Sequence, residues 1–271
     1  MQEPTLLQAV VLGTLQGLTE FLPVSSSAHL SLTPWVMGWQ PAGLGFDVAL
    51  HIGTLVALVW YFRAEWVRLI RGGITLLVNR RPVDDGSRQT LFIGIATIPA
   101  GIAGLLLEDL AETVFRAPII TAIMLIVMGA VLWLVDAKAR ADRTREQMTW
   151  RDALFVGLAQ CLALVPGVSR SGSTMTAGRA LGFDRSNAAV FSFLMSLPII
   201  SAAIVFKVPD AVREGVSVPL LAGIASAAVS SWLAIAVLLR FVRTQSYAVF
   251  ALYRFVLGAV ILGLIATRGG W

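Results

Sequence analysis

The sequence predicts an all-α polytopic membrane protein: six transmembrane helices and two re-entrant helical hairpins, related by an inverted-topology repeat. Three observations lead there. The 271 residues are 57% apolar and only 14% charged, with mean hydropathy +0.79, whereas a soluble domain carries about 25% charged residues. The basic residues gather in short segments between apolar runs. Two further apolar stretches are interrupted by Pro, Gly and Ser, and they echo one another.

The spans come first. Apolar runs at 46–62, 91–107, 119–135, 188–206, 219–239 and 248–266 each approach the ~20 residues that cross a ~30 Å hydrocarbon core. Loop charge then orients them. Segment 63–90 carries Arg63, Arg68, Arg71, Arg80, Arg81 and Arg88; segment 136–152 carries Lys138, Arg140, Arg143, Arg145 and Arg151; segment 240–247 carries Arg240 and Arg243. The other side holds Arg116, Lys207, Arg213 and Arg268. The richer side is expected to be cytoplasmic.

Parity places the remaining segments. With that orientation the first span starts outside, so segment 6–40 lies outside or dips in and returns. Segment 153–187 has to leave and re-enter the cytoplasmic face. Both are read as hairpins, whose non-helical backbone at membrane depth requires surrounding protein or a wet cavity. GTLQGLTEFLPVSSS at 13–27 aligns without gaps on GLAQCLALVPGVSRS at 157–171, pairing Gly13 with Gly157, Gln16 with Gln160, Ser25 with Ser169 and Ser27 with Ser171. One membrane domain, 1–271, is expected. Repeat A covers about 6–135 and repeat B about 153–266, joined by a cytoplasmic loop at about 136–152. Inverted repeats with broken helices place their site near the midplane.

The net charge of +5 is accounted for by membrane topology, so nucleic acid is not an expected partner. The single cysteine, Cys161, excludes an intrachain disulfide and reads as a small buried hydrophobe. Residues 1–5 lack a basic n-region, and no cleavable signal peptide is expected. Trp35, Trp39, Trp60 and Trp66 are read as interfacial aromatics.

Polar groups concentrate in the hairpins. Gln16 and Glu20 stand four apart and share a helix face; Pro23 ends that helix, and Ser25, Ser26, Ser27 and His29 follow. The second hairpin reads PGVSRSGST at 166–174. Gly167 and Gly172 permit close backbone approach, the amides opening the next helix face an anion, and Arg170 offers a fork of donors for phosphate oxygens. Carboxylate, imidazole and guanidinium at membrane depth are costly and mark a functional site. Together they resemble a phosphoryl-transfer site, in which donors hold phosphate, a hydroxyl or water attacks, and a carboxylate or histidine moves the proton or holds a metal. Each group also has a structural reading: serines cap helices, and Arg170 can pair with Glu20. Within the spans, Asp47 and His51 are i and i+4, and Arg254 follows Tyr253 in the last run.

QGLTEFLPVSS at 16–26 and PGVSRSG at 166–172, with the surroundings of Phe46-Asp47-Val48 and Tyr253-Arg254-Phe255, resemble the undecaprenyl-pyrophosphate phosphatase family of the bacitracin-resistance type, nearly end to end. The resemblance implies a multi-pass enzyme of the bacterial inner membrane. Such an enzyme hydrolyses the lipid pyrophosphate to undecaprenyl phosphate, the carrier of cell-wall precursors, at a site opening to the periplasm. It also implies dependence on a divalent cation, Mg2+ or Ca2+, with Glu20 as catalytic or metal-binding carboxylate. Ser26 matches a proposed nucleophile, His29 the functional histidine and Arg170 the phosphate-binding arginine. Gln16, Ser25, Ser27, Ser169, Ser171, Gly172, Ser173, Thr174 and Arg254 are the expected substrate contacts. Many members carry glutamate where this chain has Gln16, and glutamine cannot act as a base. Whether Ser26, His29 or water attacks is left open. Expected partners are the polyprenyl pyrophosphate lipid and the bilayer, with a homodimer left open.

Two rival readings remain. A flippase or transporter of undecaprenyl phosphate would use the same broken helices. A type-2 phosphatidic acid phosphatase needs two histidines, and His51 lacks the surroundings.

Overall fold

The computed structural model describes residues 4–107, 110, 117–213 and 216–268. They form eleven helices: α1 Leu6–Phe21, α2 Ser26–Met37, α3 Leu44–Tyr61, α4 Arg63–Asn79, α5 Asp85–Leu106, α6 Pro118–Lys138, α7 Trp150–Cys161, α8 Arg170–Ala180, α9 Arg185–Arg213, α10 Val218–Phe241 and α11 Ala248–Arg268. No strand occurs among the described residues; a lone parallel bridge joins Arg143 to Phe183.

Five helices, α5, α6, α9, α10 and α11, are long and apolar enough to cross a membrane, and α3 with α4 counts as a sixth only as a pair bent by 85°. The expected spans therefore recur as helices. Segment 63–90, read from charge as a loop, differs: its first half is the helix α4. The three arginines within 63–71 make it unattractive as a span, but Leu69 and Gly72 recur on one face and bury against α5. A Cβ on Gly72 would lie 2.2 Å from the Gly86 carbonyl carbon, so only glycine allows that crossing. Asp84 caps α5 by accepting from the Ser87 amide at 2.7 Å, which starts the helix before the apolar run does. On the opposite side, Lys207 and Arg213 fall within the last turns of α9 and Arg268 ends α11, while Arg116 lies outside the described residues. Trp60 is exposed as expected. Trp66 is half-buried and packs on the core cluster.

The hydrophobic effect does little to hold helices together in a bilayer, so close packing of small residues has to do more. A Cβ on Gly13 would meet Gly223 O at 2.1 Å, and one on Gly17 would meet Ser230 Oγ at 2.0 Å, so α1 lies against α10 almost backbone to backbone. Gly157 does the same for α7 against α5, where a Cβ would stand 2.5 Å from Ala96 O. Further along, α3 packs on α9 and α10, α5 on α9, and α6 on α11. The core between them centres on Phe21, Leu58, Met175, Phe193 and Ile235, with Phe21 and Phe193 edge to face at 5.2 Å.

Two breaks interrupt this packing. Pro23 leaves α1 without a continuing donor, and α2 starts at Ser26 with Ser25 as N-cap at φ 75°. After α7 a short 3-10 turn, Leu162–Leu164, leads to Ser169, the N-cap of α8 at φ 73°. Positive φ at a residue with a Cβ is costly, about 1–3 kcal/mol, and persists only where the surroundings impose it. Both serines accept from the amide three residues on, Ala28 at 3.4 Å and Gly172 at 3.1 Å. Each also touches the hydroxyl two residues on, Ser27 at 3.1 Å and Ser171 at 3.2 Å.

At the arginine-rich end, Asp136 closes α6 by accepting from Arg179 Nε at 2.8 Å, Arg185 Nε at 2.9 Å and the Tyr247 amide at 3.0 Å. Arg143 in the 136–152 loop donates to both Asp152 oxygens and to Leu181 O.

Candidate active site

The two breaks meet. Ser171 at the start of α8 donates to Leu22 O at 2.9 Å, and the Gly167 amide donates to Ser25 Oγ at 3.2 Å. Residues about 145 positions apart in sequence are thereby in direct contact. Between them lies a cavity of about 220 Å³, walled by Glu20, Ser25, Ser26, Ser27, His51, Ser169 and Arg170, with Ala163, Ile199, Ile200 and Ala203 on the apolar side.

Glu20 is its centre. Oε1 accepts from Arg170 Nη2 at 2.8 Å. Oε2 accepts from Ser26 Oγ at 2.7 Å and from Gln16 Nε2 at 3.1 Å, with His51 Nε2 at 3.5 Å. Position four residues before Glu20 is therefore filled by a donor that holds the carboxylate rather than by a second acid. Gln16 Oε1 is buried without a hydrogen-bond partner among the described residues. Arg170 also donates to Ser192 O at 3.1 Å. Two of its five N–H groups are thus engaged, and others are left to meet an anion.

Ser25, Ser26 and Ser27 bring the start of α2 to the cavity, and Ser169 and Arg170 bring the start of α8. Two helix N-termini with their partial positive charge therefore abut one small volume. That volume holds a guanidinium, hydroxyls and a carboxylate that accepts from one of those hydroxyls.

The remaining expected residues lie outside the wall. His29 is turned away: Nδ1 is 2.7 Å from Ser25 O and Nε2 is 2.6 Å from the Tyr253 hydroxyl. Ser173 and Thr174 donate back to Arg170 O, at 3.0 and 2.8 Å, and Thr174 also meets Ser192 Oγ at 2.6 Å. Gly172 receives the Ser169 cap and faces Arg254. Arg254 is wholly buried, and its guanidinium meets the carbonyls of Pro23, Leu125, Met124, Gly167 and Val168 at 2.7–3.4 Å. It ties both breaks to α6.

His51 is the site residue that sequence reasoning passed over. Its signal was present, as an ionisable side chain inside a span. Which face of α3 meets the first break could not be read from spacing.

Among the described residues no group of three His, Cys, Asp or Glu side chains could hold a metal. Glu20 and the serine hydroxyls are hard oxygen donors, suited to Mg2+ or Ca2+ only if the ligand supplies further oxygens, as phosphates do. Of the cavity wall, Glu20 is the carboxylate that would hold such a cation, which would there supply positive charge toward phosphate oxygens.

The sequence profile of the bacitracin resistance protein BacA family matches residues 9–260. The chain belongs to that family. An undecaprenyl-diphosphatase of Gemmatimonas aurantiaca is 60% identical over 265 residues, covering 97% of this chain and 99% of that protein. Those of Pelotomaculum thermopropionicum and Geobacter sulfurreducens are 48% and 47% identical, each over 97% of this chain and 98% and 99% of their own lengths. The BacA match spans both breaks, so the cavity lies wholly within the family's shared region.

Proposed function

We propose that this protein hydrolyses undecaprenyl pyrophosphate to undecaprenyl phosphate and inorganic phosphate, and does so in the cavity between the two breaks. The observation that carries the reading is the Glu20–Arg170 pair at 2.8 Å, an acid and a guanidinium delivered by different breaks to one polar volume. Near-full-length relatives named for this activity support it.

In this mechanism Arg170 and the starts of α2 and α8 bind the pyrophosphate and stabilise charge building on the transferred phosphoryl group. Ser26 stands as nucleophile, because its hydroxyl faces the cavity and already donates to Glu20. Its proton passes to Glu20 as Oγ attacks the terminal phosphorus and undecaprenyl phosphate departs; water then hydrolyses the phosphoserine. Gln16 and His51 hold the carboxylate in place. His29 and Arg254 act on backbone, fixing the first break and joining it to the second. A divalent cation, held by Glu20 and substrate oxygens, would neutralise pyrophosphate charge.

The same reading includes the membrane arrangement: six spans, two re-entrant hairpins (α1–α2 and α7–α8) and an inverted repeat with halves at about 6–135 and 153–266. The matching backbone at Ser25 and Ser169 supports it, as does the reciprocal packing of α1 on α10 and α7 on α5. The protein would sit in the bacterial inner membrane with its site open to the periplasm.

Phosphate release by purified protein tests the proposal. Release is expected with Mg2+ and is expected to cease in excess chelator. Undiminished release in chelator would remove the cation from the scheme. Binding of the lipid without any release would leave transport of the carrier, which the broken helices also suit, as the function.

A further inference from the structure

We propose that α4 is an interfacial helix that docks on anionic phospholipid in the leaflet at the arginine-rich end, phosphatidylglycerol being the head group it fits. At Phe62 the chain turns by 85° from α3 into α4. Exposed Trp60 lies at that corner with the Arg63 guanidinium over its ring at 5.8 Å, an arrangement typical of the membrane–water boundary. If α3 follows the membrane normal, α4 runs along the surface.

The outward face of α4 is apolar and basic together. Val67, Ile70, Ile74, Leu77 and Val78 are between 49% and 80% exposed, spaced as one helical stripe. Arg71, Arg80 and Arg81 are exposed beside it, and among the described residues none of the three pairs with a carboxylate. An apolar stripe flanked by unpaired arginines suits acyl chains below and phosphates at the same level. A cavity of about 540 Å³ between α4 and the start of α5 is walled by Arg68 and Arg71 on one side and by Asp84 and Asp85 on the other. The acids are engaged, Asp84 by the Ser87 amide and Asp85 by Arg88. A glycerol head group offers a phosphate to Arg71 and hydroxyls to the carboxylates and keeps a net negative charge, whereas a choline head group brings the same phosphate with no hydroxyl and cancels its charge with an ammonium. None of these residues belongs to the cavity at the breaks.

The test counts lipids retained by the detergent-purified protein by native mass spectrometry, offering phosphatidylglycerol and phosphatidylcholine of equal chain length. Wild type is expected to retain the anionic lipid at least fivefold over the neutral one. That preference should fall toward parity in Arg71→Gln/Arg80→Gln/Arg81→Gln, with the thermal midpoint unchanged. Should that variant not fold, the wild-type preference is measured from 0.05 to 0.5 M salt, where it should drop steeply. Equal retention of both lipids, or a preference that survives the triple substitution or high salt, overturns the proposal. So does a dimer in neutral detergent that Ile74→Ser/Leu77→Ser dissociates, since the face would then belong to a second copy.

Discussion

Glu20 has two oxygens and four neighbours, and each neighbour comes from a different constraint. Gln16 is on its own helix, Ser26 lies across Pro23 at the start of α2, His51 is on α3, and Arg170 stands 150 positions away. Removing one member of a buried ion pair leaves the other uncompensated, at a cost of ~3–5 kcal/mol. In the proposed mechanism the loss of Arg170 also removes the guanidinium that binds phosphate, and the loss of Glu20 the carboxylate that takes the proton. Arg170→Ala and Glu20→Ala are each expected to lower phosphate release more than a hundredfold in protein that still inserts and purifies as a monodisperse species; release within tenfold of wild type in both would remove the site. Arg254 acts through backbone. A stranded buried acceptor costs ~1–3 kcal/mol, and this side chain serves five carbonyls. Arg254→Met is therefore expected to destabilise the fold by about 3 kcal/mol or more, read as a lowered thermal midpoint, and to reduce release because the breaks separate. An unchanged midpoint would assign Arg254 to the substrate instead.

At the scale of helices, the breaks depend on what presses them together. Serine at positive φ is unfavourable in isolation, and Ser25 and Ser169 hold it because α1 and α7 are each locked against a span by glycine contacts. Gly157→Leu would place its Cβ 2.5 Å from Ala96 O, with backbone on the receiving side that cannot move aside. The expected result is loss of α7–α5 packing, seen as a lower thermal midpoint together with lost phosphate release. Gly94→Ala, with nothing within 4 Å of the added Cβ, serves as the neutral control on the same pair of helices. Helix α4 shows where spacing misleads. Its arginines read as loop charge, yet the Leu69–Gly72 face carries enough contact to make it helical.

The sidedness of the whole molecule is an expectation from arginine and lysine placement. In a Cys161→Ser background, Ala141→Cys is expected to react with a membrane-impermeant maleimide only in inside-out vesicles, and Gln40→Cys only in intact spheroplasts. The reverse pattern would invert the topology and turn the site toward the cytoplasm. The two breaks also divide the chemistry. In the ungapped alignment Ser26 pairs with Arg170 and Glu20 with Leu164, so the acid comes from the first break and the guanidinium from the second, while both bring serine hydroxyls to the cavity. Neither break is a site alone.

Residue order by itself determined the class of protein, the helices at the six apolar runs, both broken segments and the Gln16–Glu20 pair, because hydropathy, helical period and proline act over a few neighbours. Only the tertiary structure decided that His51 joins Glu20, that His29 turns to Tyr253 and that Arg254 meets carbonyls, because these depend on the azimuth at which one helix meets another. That angle is set by small-residue contacts between segments distant in the chain, and no local pattern encodes it.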